Sequence, residues 1–232
     1  VAIKDLLANL QDETNILAML DMHLETKQQM RKPDGCFHPS MASRCQRYIQ
    51  YYLQGYSRRP FSAQTMRIFD NGTGVHERIQ KYFTEMGIVI ENEKKMKYTV
   101  KTPAPSITVV GSADSIVQIK KKLIVEIKSC NSFMYVKFVK EKGSLDHKVQ
   151  WNLYSYGLKI PDGVFIYENK NTQEIHPVPV SFDKALFDDT IKKFKRVQKA
   201  INDSRLVVRP YKGMTAKACL KCDYKDECWS RR

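Results

Sequence analysis

The stretch Gly111–Ser129, GSADSIVQIKKKLIVEIKS, decides how the rest of the chain is read. It has the form of two β-arms about a lysine-rich turn, yet Asp114, Glu126 and Lys128 sit inside the arms. Side chains alternate faces along a strand, so Ile124, Glu126 and Lys128 share one face and Leu123, Val125 and Ile127 the other. A turn centred on Lys121 pairs Asp114 with Lys128 and sets Glu126 on the diagonal, about 7 Å away. One sheet face then carries two carboxylates and an amine. Converging carboxylates repel, and one takes up a proton unless a cation lies between them. Mg²⁺ and Mn²⁺ prefer such oxygens and keep positions open for water. The plainer alternative is an edge strand with solvated charges.

The bulk numbers narrow the choice. A chain of 232 residues with 42% hydrophobic and 28% charged residues can build a real core and is not disordered. It contains no apolar run of about 18 residues, so no membrane span is expected. The opening VAIKDLLANLQDETN carries acids early and lacks a small-residue cleavage site, which argues against a secretory signal. The formal net charge of +14 favours a polyanionic partner, most often nucleic acid, over a merely soluble basic surface. The six cysteines stand at 36, 45, 130, 219, 222 and 228, and three of them crowd the C-terminus. That clustering points to metal in a reducing, cytoplasmic compartment more than to a disulfide framework.

Patterning divides the chain into helices over 3–30, 38–55 and 62–87, with Ser40 as a possible cap and Gly55 and Gly87 as stops. A charged strand over 88–100 follows, then the hairpin 106–129 and a helix over 146–158. A second hairpin turns at Asn169–Thr172, and an amphipathic helix carries Leu186, Phe187, Ile191, Phe194, Val197 and Ile201 on one side. This order predicts an α/β domain with a central mixed sheet flanked by helices. One domain is expected: a helical region over 1–60, a core over 62–202 and a cysteine-rich tail over 203–232.

Two further features bear on Asp114 and Glu126. His76 lies seven residues after Phe69 and seven before Phe83, so it faces the core or a cleft. A satisfied core histidine is one reading and a metal ligand the other. Gly72 and Gly74 would allow backbone to approach there. Gln150 and Tyr154 are four apart on a helix and share a face, from which they either pack or hold phosphate or a carboxylate. Tyr51, Tyr52 and Tyr56 either pack their helix or stack on unpaired bases.

GVHERIQKYF, GSAD, EIKS and QWNLYSYGL resemble, in order and spacing, the nucleases of the PD-(D/E)XK superfamily of RecB type. The tail CLKCDYKDECW, with one distant N-terminal cysteine, is similar to the iron–sulfur branch of that superfamily. That branch includes CRISPR adaptation nucleases and the nuclease domains of AddAB-type helicase–nucleases. The resemblance implies a restriction-endonuclease-like core with an N-terminal helical region and a C-terminal cysteine cluster. It implies that His76, Asp114, Glu126 and the Ile127 carbonyl bind Mg²⁺ or Mn²⁺, that Lys128 is the catalytic lysine, and that Gln150 and Tyr154 support the site. Cys219, Cys222 and Cys228 look like three ligands of a [4Fe–4S] cluster, with Cys45 favoured over Cys36 as the fourth; Cys130 reads as a bystander. A zinc site of four thiolates is the alternative. The implied activity is a DNA exonuclease, inclined to single strands and 5′→3′ polarity, with a helicase or CRISPR adaptation protein as possible partner. A non-cleaving DNA-binding scaffold or a subunit of a larger processing complex is the competing reading.

Overall fold

A computed structural model describes residues 15–28, 33–101 and 105–230. A five-stranded sheet runs in the spatial order β1 (Val89–Val100), β2 (Ile107–Gln118), β3 (Lys122–Cys130), β4 (Asp162–Asn169), β5 (Ile175–Ser181). Only β3 and β4 run parallel; the other neighbours are antiparallel. A parallel pair needs a crossover, and two helices provide it: α4 (Ser132–Lys140) and α5 (Leu145–Leu158). The helix α4 was not legible in the sequence pattern, because its apolar residues are half exposed and pack only Tyr135 and Phe138 onto the core.

The helices α1 (Ile16–Thr26), α2 (Gln46–Leu53), α3 (Ala63–Glu85) and α6 (Lys184–Asn202) lie within the segments expected to be helical. Residues 3–14, 29 and 30 of the expected first helix lie outside the described residues. The expected second helix is shorter than its pattern. Pro39–Met41 forms a 3₁₀ turn, and α2 starts at Gln46, just after Cys45, whose thiol accepts the Tyr48 N–H at 3.4 Å. Cys45, not Ser40, is therefore the cap. Gly55 and Gly87 adopt φ of +72° and +70°, the left-handed conformation that ends a helix without a Cβ clash.

The sheet is covered on both faces. Against one face lie α5, α6 and the 3₁₀ turn, burying Ile107, Val109, Ile124, Trp151, Leu153 and Phe194. Against the other lies α3, with Val75 and Ile79 on Val117, Val125 and Ile127. Each buried side chain of this size contributes about 1.5–3 kcal/mol, so the larger cluster carries most of the stability and α3 is held by a thinner seam. One ion pair reinforces that seam. Arg78 of α3 donates to both oxygens of Glu168, at 2.7 and 2.9 Å, and Glu168 is wholly buried at the end of β4.

Candidate active site at the β2–β3 fork

The hairpin forms, its turn centre one residue and its register two residues away from those expected, which keeps each side chain on its face. Ser115 pairs with Val125, Ile116 with Ile124 and Gln118 with Lys122, which centres the turn on Lys120 rather than Lys121. Continued, this register sets Asp114 opposite Glu126 rather than Lys128. The ladder stops short of that pair: beyond Ser115–Val125 the strands part, and the Asp114 carboxylate itself accepts the Ile127 N–H at 2.7 Å. A side chain stands in for a ladder acceptor, and the two strands fork around it.

The phase of β2 changes at the same place. Ile107, Val109 and Ala113 belong to the α5–α6 core, and so does Ile116, which breaks strict alternation. On β1, Glu93 adopts a φ of +51° opposite this region. The irregularity lets Asp114 reach the α3 side, where its carboxylate lies 3.5 Å from His76 Nδ1. Gln80, one turn beyond His76, donates to the Asp114 carbonyl at 2.7 Å and to Glu93 at 3.0 Å. Its spacing of four from His76 is a signal the sequence held.

Glu126 and Lys128 project toward α5. Lys128 Nζ donates to Glu126 at 2.9 Å and reaches Gln150 Oε1 at 3.5 Å, and Gln150 donates to the Tyr154 hydroxyl at 3.1 Å. Gly111 makes this approach possible: a Cβ there would stand 3.1 Å from the Tyr154 ring and 2.9 Å from Pro39. The fork thus joins two layers, His76 and Asp114 from the α3 side and Glu126, Lys128, Gln150 and Tyr154 from the α5 side. The Ile127 side chain is buried against α3.

The electrostatics follow from burial. Glu126 is 1% exposed, and desolvation lifts its carboxyl from 4.5 to about 7, with the Asp114 charge adding to the rise and Lys128 opposing it. Its Oε1 has no hydrogen-bond partner, which leaves a buried carboxylate oxygen unsatisfied. For Lys128 burial works downward, but the charges of Glu126 and Asp114 outweigh it and hold the ammonium above its usual range. For His76, burial is likewise overcome by its hydrogen bond to Asp114 and the attendant charge, so its pKa is raised.

Of the two places expected for His76, core or cleft, it takes the cleft: Phe83 packs onto the core cluster under α3, but Phe69 is exposed and lines with His76 the wall of an open cleft. The expectation about the glycines needs correction. A Cβ on Gly72 or Gly74 would meet nothing within 4 Å, so neither glycine serves a close approach.

The C-terminal cysteines gather some distance along the molecule. Cys45, Cys219, Cys222 and Cys228 all line one small cavity, with Arg47, Arg209 and Trp229 also in its wall. Burial raises the Cys222 and Cys228 thiols, and the other cysteines of the cavity raise them further. Cys36 lies elsewhere, its thiol raised by burial and by Asp34, and Cys130 lies near Glu168 and Lys170. Tyr51 is fully buried against Tyr224 and Tyr56, which is the packing alternative for that residue rather than base stacking.

Both donor sets suit the groups they would hold in kind: hard oxygens and an imidazole at the fork, four thiols at the cavity. The orphaned Glu126 oxygen is the feature at the fork that a cation would satisfy. Among the described residues, however, no group of three or more His, Cys, Asp or Glu side chains is closed tightly enough to hold a metal ion.

No protein-family model matches the chain, and no curated protein matches it. Solved structures do. The crystal structure of SSO0001 superposes with a TM-score of 0.58 at 16% identity, covering 92% of this chain and 96% of that one. An alkaline exonuclease (LHK-Exo) from Laribacter hongkongensis matches with a TM-score of 0.51 at 13% identity over 73% of this chain and 89% of its own. The same enzyme in complex with dAMP gives 0.50 at 14% identity over the same shares. At these identities the likeness shows a shared fold: a mixed sheet flanked by helices, as the sequence led us to expect. No helix among the described residues is long and apolar enough to cross a membrane.

Proposed function

We propose that the chain is a metal-dependent DNA exonuclease acting on single strands, with 5′→3′ polarity favoured, and that Cys45, Cys219, Cys222 and Cys228 hold a structural [4Fe–4S] cluster. The observation that carries the reading is the fork: Asp114, Glu126 and Lys128 meet where β2 and β3 part, and one buried Glu126 oxygen lacks a partner. That one of the fold's relatives is an alkaline exonuclease, solved also with dAMP, points the same way.

His76, Asp114 and Glu126, with the Ile127 carbonyl, would hold Mg²⁺ or Mn²⁺, which supplies Lewis-acid activation of a phosphate oxygen and a water. The chain's own residues do the rest. The charges of Glu126 and Asp114 favour the protonated form of Lys128, and as a cation beside them it would help orient or activate the water or balance charge developing on the phosphate. Gln150 fixes the Lys128 ammonium on one side and is itself fixed by Tyr154. Glu126 must lose its proton to act as a ligand, so metal competes with that proton and activity should rise with pH over a range below about 7 that moves lower as metal concentration is raised.

A second reading, a non-cleaving DNA-binding scaffold with a four-cysteine metal site, needs no metal at the fork, where, among the described residues, three candidate ligands are not gathered closely enough to hold one; the cysteines are no more closely gathered. Incubating 5′- and 3′-labelled single-stranded and duplex DNA with Mn²⁺ or EDTA, alongside Asp114→Asn, separates the two. The nuclease reading expects metal-dependent cleavage with a defined polarity, falling about 10²–10³-fold or more in the variant. Metal-independent binding with no cleavage by the wild-type chain favours the scaffold.

A further inference from the structure

The site opens on two sides, and the two mouths differ in charge. On the α5 side, Gln150 stands in the wall of an open cleft of about 770 Å³ that runs on to Arg44, Tyr211, Lys217 and Lys221. Three cations line it against one carboxylate, Asp146. Its histidine, His147, adds no charge at neutral pH, since burial pushes it down to about 4. On the α3 side, the cleft that contains His76 is lined by Glu77 and Glu93 and by no lysine or arginine.

The three cations are free of the local ion pairs that some of the surface lysines make. Lys184, Lys192 and Lys199 on α6 each pair with a neighbouring carboxylate. Arg44, Lys217 and Lys221 form no ion pair with a described carboxylate; Arg44 lies over the Tyr48 ring at 5.1 Å. All three are solvent-exposed. Unpaired cations inside a concavity focus an attractive field on an anion. The cleft also presents the Tyr211 ring, which is 37% exposed. Cations interleaved with an accessible aromatic ring suit unpaired bases on a flexible backbone; a duplex, with its bases stacked inside, cannot use the ring.

We propose that this cationic cleft is the track that holds a single-stranded nucleic acid on its way to the fork, and that the acidic mouth beside α3 is where the cut end leaves. The direction of travel rests on the nuclease reading; the binding does not. The phosphates are held on the side rich in cations, and the product is released across a wall that repels it. The cysteine cavity shares Cys45, Tyr48, Tyr211 and Cys222 with this cleft, so the tail forms part of the track.

The test is fluorescence anisotropy of a labelled oligothymidylate of about 20 nucleotides, long enough to span such a groove, titrated in EDTA over a salt series. Wild type is compared with Lys217→Glu/Lys221→Glu and with Lys120→Glu/Lys122→Glu. The control pair sits on the β2–β3 turn, at the opposite end of the hairpin from the fork. All four lysines are exposed, so both double variants should fold. The cleft pair should weaken binding at least about tenfold and lower the log–log salt slope by about 1.4, which is about 0.7 for each phosphate left without its lysine. The control should change little. Equal losses in the two variants, an unchanged cleft variant, or no binding by the wild type would overturn the track. A loss confined to a duplex of the same length would overturn its assignment to single strands. If the wild type binds through the cleft yet cuts nothing with Mn²⁺, the nuclease reading fails and the track stands; if it cuts and the cleft variant binds normally, the track alone fails.

Discussion

At the fork, the charged side chains are carried by backbone that belongs to a five-stranded sheet and a long helix; at the cysteine cavity, three of four thiols hang on or between helices of four and six residues, α7 (Lys217–Leu220) and α8 (Lys225–Ser230). Helices that short are far below the length that is stable alone. What holds the tail is strapping by side chains. Arg47 and Gln50 of α2 are buried and bond the backbone of Val207 and Arg205, at 2.8 and 2.7 Å. Tyr48 donates to Asp223 at 3.0 Å, the Arg59 N–H donates to the Asp223 carbonyl, and Arg209 lies over Trp229. The fork is organised by the fold before any ligand arrives. The tail is organised by a handful of contacts, to which the proposed cluster on its thiols would add.

That contrast can be broken most directly at the cysteines. Cys219→Ser with Cys222→Ser should free the tail while leaving the sheet intact. Limited proteolysis is expected to nick the chain after about residue 205 at a rate raised by orders of magnitude, with amides of β2–β4 still protected from exchange. Simultaneous loss of protection in the sheet would show that the two regions are one cooperative unit.

The next effect is a pH dependence at the fork. Because the folded Glu126 carboxyl titrates at about 7 rather than 4.5, the folded state keeps a proton that the unfolded chain has lost. Its contribution is full below the unfolded value and is lost as pH rises through the folded one, at most about 3 kcal/mol. Metal-free protein should therefore be less resistant to urea at about pH 8 than at about pH 5, and Glu126→Gln should flatten that difference. An unaltered slope in the variant would place the titration elsewhere.

The smallest effect is expected at Tyr154. Removing its hydroxyl in Tyr154→Phe takes away the partner of Gln150 Nε2 and should cost about 1 kcal/mol of stability. Cleavage should fall several-fold, through a loosened Lys128, while substrate affinity changes little. An affinity loss as large as the rate loss would mean that Tyr154 touches the nucleic acid instead of positioning the lysine.

Much of the fold could be read from local pattern. The faces of β3 could be assigned because period-2 alternation depends on nothing but the pleat, and Gln150 and Tyr154 met because four residues make about one helical turn. Cys45, Cys219, Cys222 and Cys228 were grouped by resemblance, and the structure places all four on one cavity. The turn centre lies one residue, and the register two, from the expectation, since a turn inside QIKKKL carries no glycine or asparagine to mark its centre. The helix α4 was missed because it buries too little to leave a stripe.

The alternation of the strands, the amphipathic helices and the types of donor available to each site were set within the sequence, because those follow from neighbours a few residues away. The assembled fold was needed to fix where the ladder stops, that Asp114 replaces a backbone acceptor and turns toward His76, and that burial pushes the Glu126 carboxyl up to about 7. It also brought Arg78 to Glu168 across the sheet, and Arg44 to one cleft with Lys217 and Lys221. Burial and long-range pairing depend on the sum of distant contacts, and no window of sequence contains that sum.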